Sequence, residues 1–96
     1  MKRPNILFIL TDQLALQAIG AYGNAYVNTP NIDALAASGL RFEKSYCSAP
    51  VCSPSRSSLL TGRMPHETGI DVNGPDLYAD IATLGDLFQK AGYETA

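Results

Sequence analysis

The sequence has no tryptophan, a single histidine and only two cysteines in 96 residues. Each shortage narrows what the chain can be. One histidine, His66, cannot build an imidazole-based zinc site. Cys47 and Cys52 do not form the Cys-x-x-Cys pair that zinc binding or a thiol redox motif uses. Two cysteines also make no disulfide framework, so any metal chemistry must rest on oxygen ligands. No sign of charge dominates: seven basic residues face nine acidic ones, for a formal net charge of −2. A basic patch or stripe is missing, which argues against a nucleic-acid partner, and so is a polybasic membrane signal. Long apolar runs are missing too. Residues 6–10 form the longest near the start, against the roughly 20 needed to span a bilayer. Met1-Lys2-Arg3 ahead of that run has the look of a signal peptide. The run is too short, however, and Thr11-Asp12 interrupts it with no small-residue cleavage site behind. The sequence as written reads as cytoplasmic, and as periplasmic or secreted if a leader has been removed.

What remains is an ordinary globular composition, 46% hydrophobic and 17% charged, in a length that supports one small domain with a modest core. No repeat or linker divides it. Residues 5–11 are a continuous apolar run, as expected of a strand covered on both faces in a parallel sheet. Gly20, Gly23 and Asn24 mark a loop. Thr29 as N-cap and Pro30 at the first helical position open a helix, with Ile32, Leu35 and Ala36 as its buried stripe and Gly39 as its stop. Leu40, Phe42 and Tyr46 fall on one side of a second expected strand. Thr83, with Asp86 three residues on, starts another helix with Leu84, Leu87, Phe88 and Ala91 as its apolar face, ended by Gly92. Residues 93–96 read as the beginning of a further strand. Alternating strands and helices predict an α/β sandwich around a mainly parallel sheet.

The chemistry concentrates in Cys52-Ser53-Pro54-Ser55-Arg56-Ser57-Ser58-Leu59-Leu60-Thr61-Gly62-Arg63. Ser53 suits an N-cap, Pro54 the first helical position and Gly62 the stop, which places Cys52 just outside a helix N-terminus. Unpaired backbone N–H groups and the positive end of the helix dipole gather there and favour an oxyanion or a reactive thiol. Arg56 adds a planar donor fork suited to sulfate or phosphate. Residue chemistry alone leaves two readings open: an anion pocket with a nucleophile at its rim, or an inert cysteine beside a helix-surface arginine.

The run Cys-x-Pro-Ser-Arg, continued by Leu-Leu-Thr-Gly-Arg, resembles the signature of the type I sulfatases of the alkaline phosphatase superfamily. The resemblance extends in order through nearly the whole chain. Pro4-Asn5-Ile6-Leu7-Phe8-Ile9-Leu10-Thr11-Asp12 resembles that family's first strand and its metal-binding carboxylate. Thr29-Pro30-Asn31-Ile32-Asp33-Ala34-Leu35 resembles its next helix, and residues 83–96 the helix and strand beyond. The fold implied is the N-terminal part of an alkaline-phosphatase-like α/β sandwich, with residues 1–96 an incomplete portion of a sulfatase catalytic domain.

By that resemblance, a maturation enzyme oxidises Cys52 to formylglycine (3-oxoalanine), whose hydrate is the nucleophile toward sulfate sulfur. Arg56 stabilises the charge built up in transfer. Asp12 and Gln13, together with residue 52, hold a calcium ion. Gln13 departs from the second aspartate of many relatives. The Asp-Gln pair is a known variant, shared with choline-sulfatase and phosphonate monoester hydrolase relatives; otherwise Gln13 is a loop residue beside the site. His66 receives no catalytic role, and Cys47 is expected to be a small buried residue. The remaining sulfate- and metal-binding groups of the family come from segments later than residue 96, so these residues alone are expected to be inactive. The implied reaction is hydrolysis of a sulfate monoester on a small molecule or carbohydrate by the full-length protein. The alternatives are a phosphonate or phosphate ester hydrolase of the same superfamily, and a non-catalytic remnant or binding protein.

Overall fold

A computed structural model describes residues 3–96. The chain divides into two compact units, one ending at Glu43 and the other beginning at Lys44.

In the first unit, residues 3–11 run without regular structure, followed by two short 3-10 turns, Leu16–Ala18 and Gly20–Tyr22, and helix α1, Pro30–Ser38. Proline at the first position starts α1 as expected, but the Thr29 hydroxyl does not cap the helix in the usual way. Its Oγ1 accepts the Gly20 N–H at 2.8 Å and donates to Asp33 Oδ1 at 2.9 Å. Asp33 Oδ1 in turn accepts the Ala21 N–H at 2.7 Å. A carboxylate in the first turns of a helix is favoured by the helix dipole, and here it also fastens the Gly20–Tyr22 turn to that helix. Glycine at position 20 permits this approach: a Cβ there would lie 2.7 Å from Asp33 Oδ2 and would displace the carboxylate. Tyr22 donates from its hydroxyl to the Phe42 carbonyl at 2.9 Å and lies under the Arg41 guanidinium.

The second unit holds α2 (Cys52–Thr61), the single-turn α3 (Pro65–Thr68) and α4 (Leu84–Lys90). Gly62, at φ +70°, ends α2 in the left-handed conformation expected of a glycine stop. Thr83 and Asp86 form the expected capping box: the Asp86 carboxylate accepts the Thr83 N–H at 2.7 Å, and Thr83 Oγ1 accepts the Asp86 N–H at 3.4 Å. The other end of α4 closes as a Schellman motif. Gly92 N–H donates to the Gln89 carbonyl at 2.9 Å and Tyr93 N–H to the Phe88 carbonyl at 3.0 Å, with the Phe88 and Tyr93 rings edge to face. Among the described residues few are buried: Pro54, Ser57, Thr68, Ile70 and Ile81.

Several expectations are corrected. Among the described residues no strand forms, so the parallel sheet expected from residues 5–11, 40–46 and 93–96 is not shown by these residues. A strand exists only through a ladder to a neighbour, and a parallel strand buried on both faces needs neighbours and covering helices. The apolar run instead leaves the side chains of residues 6–10 between 53% and 85% exposed. The stripe on α1 is likewise open, with Ile32 and Leu35 exposed, as are Leu84 and Leu87 on α4. Cys47 is exposed rather than buried. No helix among the described residues is long and apolar enough to cross a membrane.

Two outcomes test these ties. Replacing Asp33 with Ala strands the Ala21 N–H and the Thr29 hydroxyl, and should lower the unfolding free energy by about 1–3 kcal/mol in urea; an unchanged midpoint would show that the carboxylate is not the fastener. The Asp86 carboxyl is held below the ordinary aspartate value, first by the Thr83 backbone N–H and then by the Thr83 hydroxyl. Because the folded value is the depressed one, this contribution to stability is present above the unfolded pKa and lost as pH falls through the folded pKa. An NMR titration should place Asp86 below the usual range and move it back up in Thr83→Val, which keeps the N–H but lacks the hydroxyl.

Candidate active site

The first α2 residue is Cys52 itself, with Val51 as N-cap. This corrects the expectation that Ser53 caps the helix from a position inside Cys52. Ser55 N–H closes the first turn on the Val51 carbonyl at 3.0 Å. Pro54, with no N–H to satisfy, sits within that turn. The cap comes from a distant residue instead: Asn73 Oδ1 accepts the Ser53 N–H at 2.9 Å. The amide next to Cys52 is therefore bonded to a side chain twenty residues further along the chain.

At about 100° per residue, residues 52, 56 and 59 fall within about 60° of one another on α2, and residues 54, 57 and 61 lie on the opposite side. Burial follows this division. Cys52, Arg56 and Leu59 are exposed, Pro54 and Ser57 are buried, and Thr61 is half-buried. Cys52 and Arg56 thus stand one turn apart on the open face, as the i, i+4 spacing requires.

The closed face is held by polar contacts. Ser57 Oγ lies 3.0 Å from Thr68 Oγ1 and 2.8 Å from the Pro54 carbonyl. Thr68, fully buried, also reaches the Pro65 carbonyl at 2.9 Å. This clasp ties α3 to the middle of α2. A shallow cleft of about 240 Å³ runs beside it, bordered by Ser53, Arg56, Ile70 and Asp76. A larger cleft in the first unit, about 310 Å³, is bordered by Gly20, Asp33 and Arg41. Their polar groups are already engaged, Gly20 with Thr29, Asp33 with Ala21 and Thr29, and Arg41 with Ala21 and Glu43, so it offers no comparable chemistry.

Asp12 and Gln13 are both exposed, at a bend that follows the apolar run in the first unit. Gln13 adopts φ +51°, a left-handed conformation uncommon for a residue with a side chain. As donors, a carboxylate and an amide carbonyl are hard oxygens and fit calcium in kind. They do not fill its shell of about six to eight oxygens, and no group of three or more His, Cys, Asp or Glu able to hold a metal stands together among the described residues. His66 is exposed on α3.

Sequence reasoning missed Asn73, Ser57 and Thr68. Asn73-Gly74 signals a turn, but nothing in it points to residue 53. Ser57 and Thr68 read as ordinary polar residues until the fold brings them together.

Comparison with known proteins agrees with the resemblance drawn from the motif. The family model described as Sulfatase matches residues 4–96. The chain is 44% identical over 95 residues to an uncharacterized sulfatase, YidJ, of Escherichia coli K12, covering 99% of this chain and 19% of that protein. It is 42% identical to an N-acetylglucosamine-6-O-sulfatase of Bacteroides thetaiotaomicron, covering 99% of this chain and 17% of that protein. To arylsulfatase A of Bos taurus it is 43% identical, covering 96% and 19%. The chain spans about a fifth of the length of these relatives. With its motif and nearly every residue matched, the chain belongs to the sulfatase family.

Proposed function

We propose that the full-length protein hydrolyses sulfate monoesters, with residue 52, converted from cysteine to formylglycine, as the nucleophile. One observation carries this reading: Cys52 and Arg56 stand one turn apart on the open face of α2, at the end where the helix dipole favours an anion. Residues 1–96 would form the N-terminal portion of an α/β catalytic domain, with the parallel sheet completed by the rest of the protein.

A hydrated formylglycine at residue 52 would supply one hydroxyl to displace the substrate alcohol from sulfur and a second whose deprotonation would expel sulfate and restore the aldehyde. The chain's own residues prepare that chemistry. Arg56 offers two parallel N–H donors to the oxygens that gain charge. The Asn73 tie holds the Ser53 amide, and so the backbone on which residue 52 sits. Asp12 and Gln13 would hold part of the shell of a calcium ion, which would supply positive charge to the sulfate oxygens. The substrate proposed is a sulfated carbohydrate or small molecule. Relatives named for N-acetylglucosamine-6-O-sulfate, ulvan and N-acetylgalactosamine-6-O-sulfate support the carbohydrate class. A formylglycine-generating maturation enzyme is the required partner. Gln13 favours a second reading, hydrolysis of phosphonate or phosphate esters, because an amide in place of a carboxylate lowers the negative charge at the metal.

The full-length protein, made in a host with a maturation enzyme, should show formylglycine in the residue 52 peptide by mass spectrometry. It should also turn over sulfate monoesters in preference to phosphonate and phosphate esters. Cys52→Ala should abolish turnover, and Arg56→Lys, which keeps the charge but not the fork, should lower kcat by about 10²-fold or more. Calcium chelation should reduce turnover reversibly. A preference for phosphonate esters would establish the second reading. Conversion of residue 52 without turnover of any of these esters would leave a binding protein.

A further inference from the structure

On the reading that residue 52 carries the nucleophile, we propose that Thr68 is a positioning residue: through its buried contact with Ser57 it sets the rotation of α2 about its own axis, and with it the direction of residues 52 and 56. Thr68 is 0% exposed, so it cannot meet a substrate, and any effect it has on turnover must pass through other residues. Its Oγ1 lies 3.0 Å from Ser57 Oγ. Ser57 is on the side of α2 opposite Cys52 and Arg56.

The contact matters because little else holds that side. The buried α2 residues are Pro54 and Ser57, and Leu60, on the helix flank, remains 44% exposed. Apolar packing is non-directional and lets a helix roll, whereas a hydroxyl held between a carbonyl and a second hydroxyl permits a narrow range of angles. An atom about 6 Å from the axis moves about 1 Å when a helix turns by about 10°. A misplacement of that size can cost up to about 10²-fold in rate. The Asn73–Ser53 bond is a second tie along the same helix. Asn73 is exposed beside residue 52, however, so replacing it would mix positioning with direct contact. The buried pair isolates the positioning effect.

The experiment uses the full-length protein with three variants. Thr68→Val keeps the shape and removes the hydroxyl, Ser57→Ala removes the partner, and Thr68→Ser keeps the hydroxyl. For each, kcat is expressed per formylglycine found at residue 52. Thr68→Val and Ser57→Ala should each lower kcat about tenfold or more with KM within about threefold, the double variant should be no worse than the poorer single one, and Thr68→Ser should stay within about threefold of the parent. Should Thr68→Val fail to fold, Ser57→Ala carries the same readouts. Unchanged kcat per formylglycine in the folded variants would overturn the proposal, whatever happens to their thermal midpoints. A parent protein whose residue 52 remains a thiol would defeat the sulfatase reading separately. The positioning role would then be read from the rate of Cys52 alkylation by iodoacetamide: a change of about threefold or more in both variants would support it, and an equal rate would overturn it.

Discussion

The second unit depends on two hydroxyl groups that have left water. Ser57 and Thr68 face each other at 3.0 Å, each within reach of a carbonyl, Pro54 for the serine and Pro65 for the threonine. Two hydroxyl protons serve three contacts, so one proton must lie between the pair while the other points to a carbonyl. Both proton arrangements satisfy the pair, and either leaves both oxygens bonded. Each carbonyl lies in the residue's own helix, so the contact between the two oxygens is the bond that runs from α3 to α2. This joins α3 to α2, places the turn at Gly69 beneath the Tyr78 ring, and leads the chain toward Asn73, whose side chain returns to the start of α2.

The consequence for the candidate site is a division of labour around one helix. Polar ties hold its back, and its front is left open for Cys52 and Arg56. A helix anchored mainly by large apolar side chains would gain more burial. It would also be free to settle at several rotations, since hydrophobic contact rewards area rather than angle. Cys52 and Arg56 both lie on the open side, so a tie that restricts angle suits this helix better than one that adds area.

Features governed by near neighbours were legible in the sequence. Gly62 as the α2 stop, Pro30 as the α1 start, the Thr83–Asp86 box and the Gly92 stop each depend on residues within one or two turns, and each stands where the sequence placed it. The i, i+4 relation of Cys52 and Arg56 was legible for the same reason. The strands were not, because a strand is defined by a ladder to a partner, and periodicity describes only one member. The two-residue error at the start of α2 has a similar origin: Ser53 looks like a cap by local preference, but the helix starts from Val51 and the acceptor for the Ser53 amide comes from Asn73. Burial was misjudged wherever it requires a second element, as on the α1 stripe and at Cys47.

Residues 6–10, Ile32, Leu35, Leu40 and Phe42 in the first unit, and Tyr46, Leu59 and Leu87 in the second, keep much of their surface open, while the buried set is small and partly polar. Burial of apolar area is the dominant favourable term in folding, so within each unit the hydrogen-bonded ties carry an unusually large share of the specificity. Ties of this kind are local in effect: they define the angle of α2 against α3 and the approach of Gly20 to Asp33 without requiring a large core. The geometry around Cys52 is therefore set by a handful of named bonds, each removable by a single isosteric substitution, and the work of positioning can be separated from the work of stability at this site.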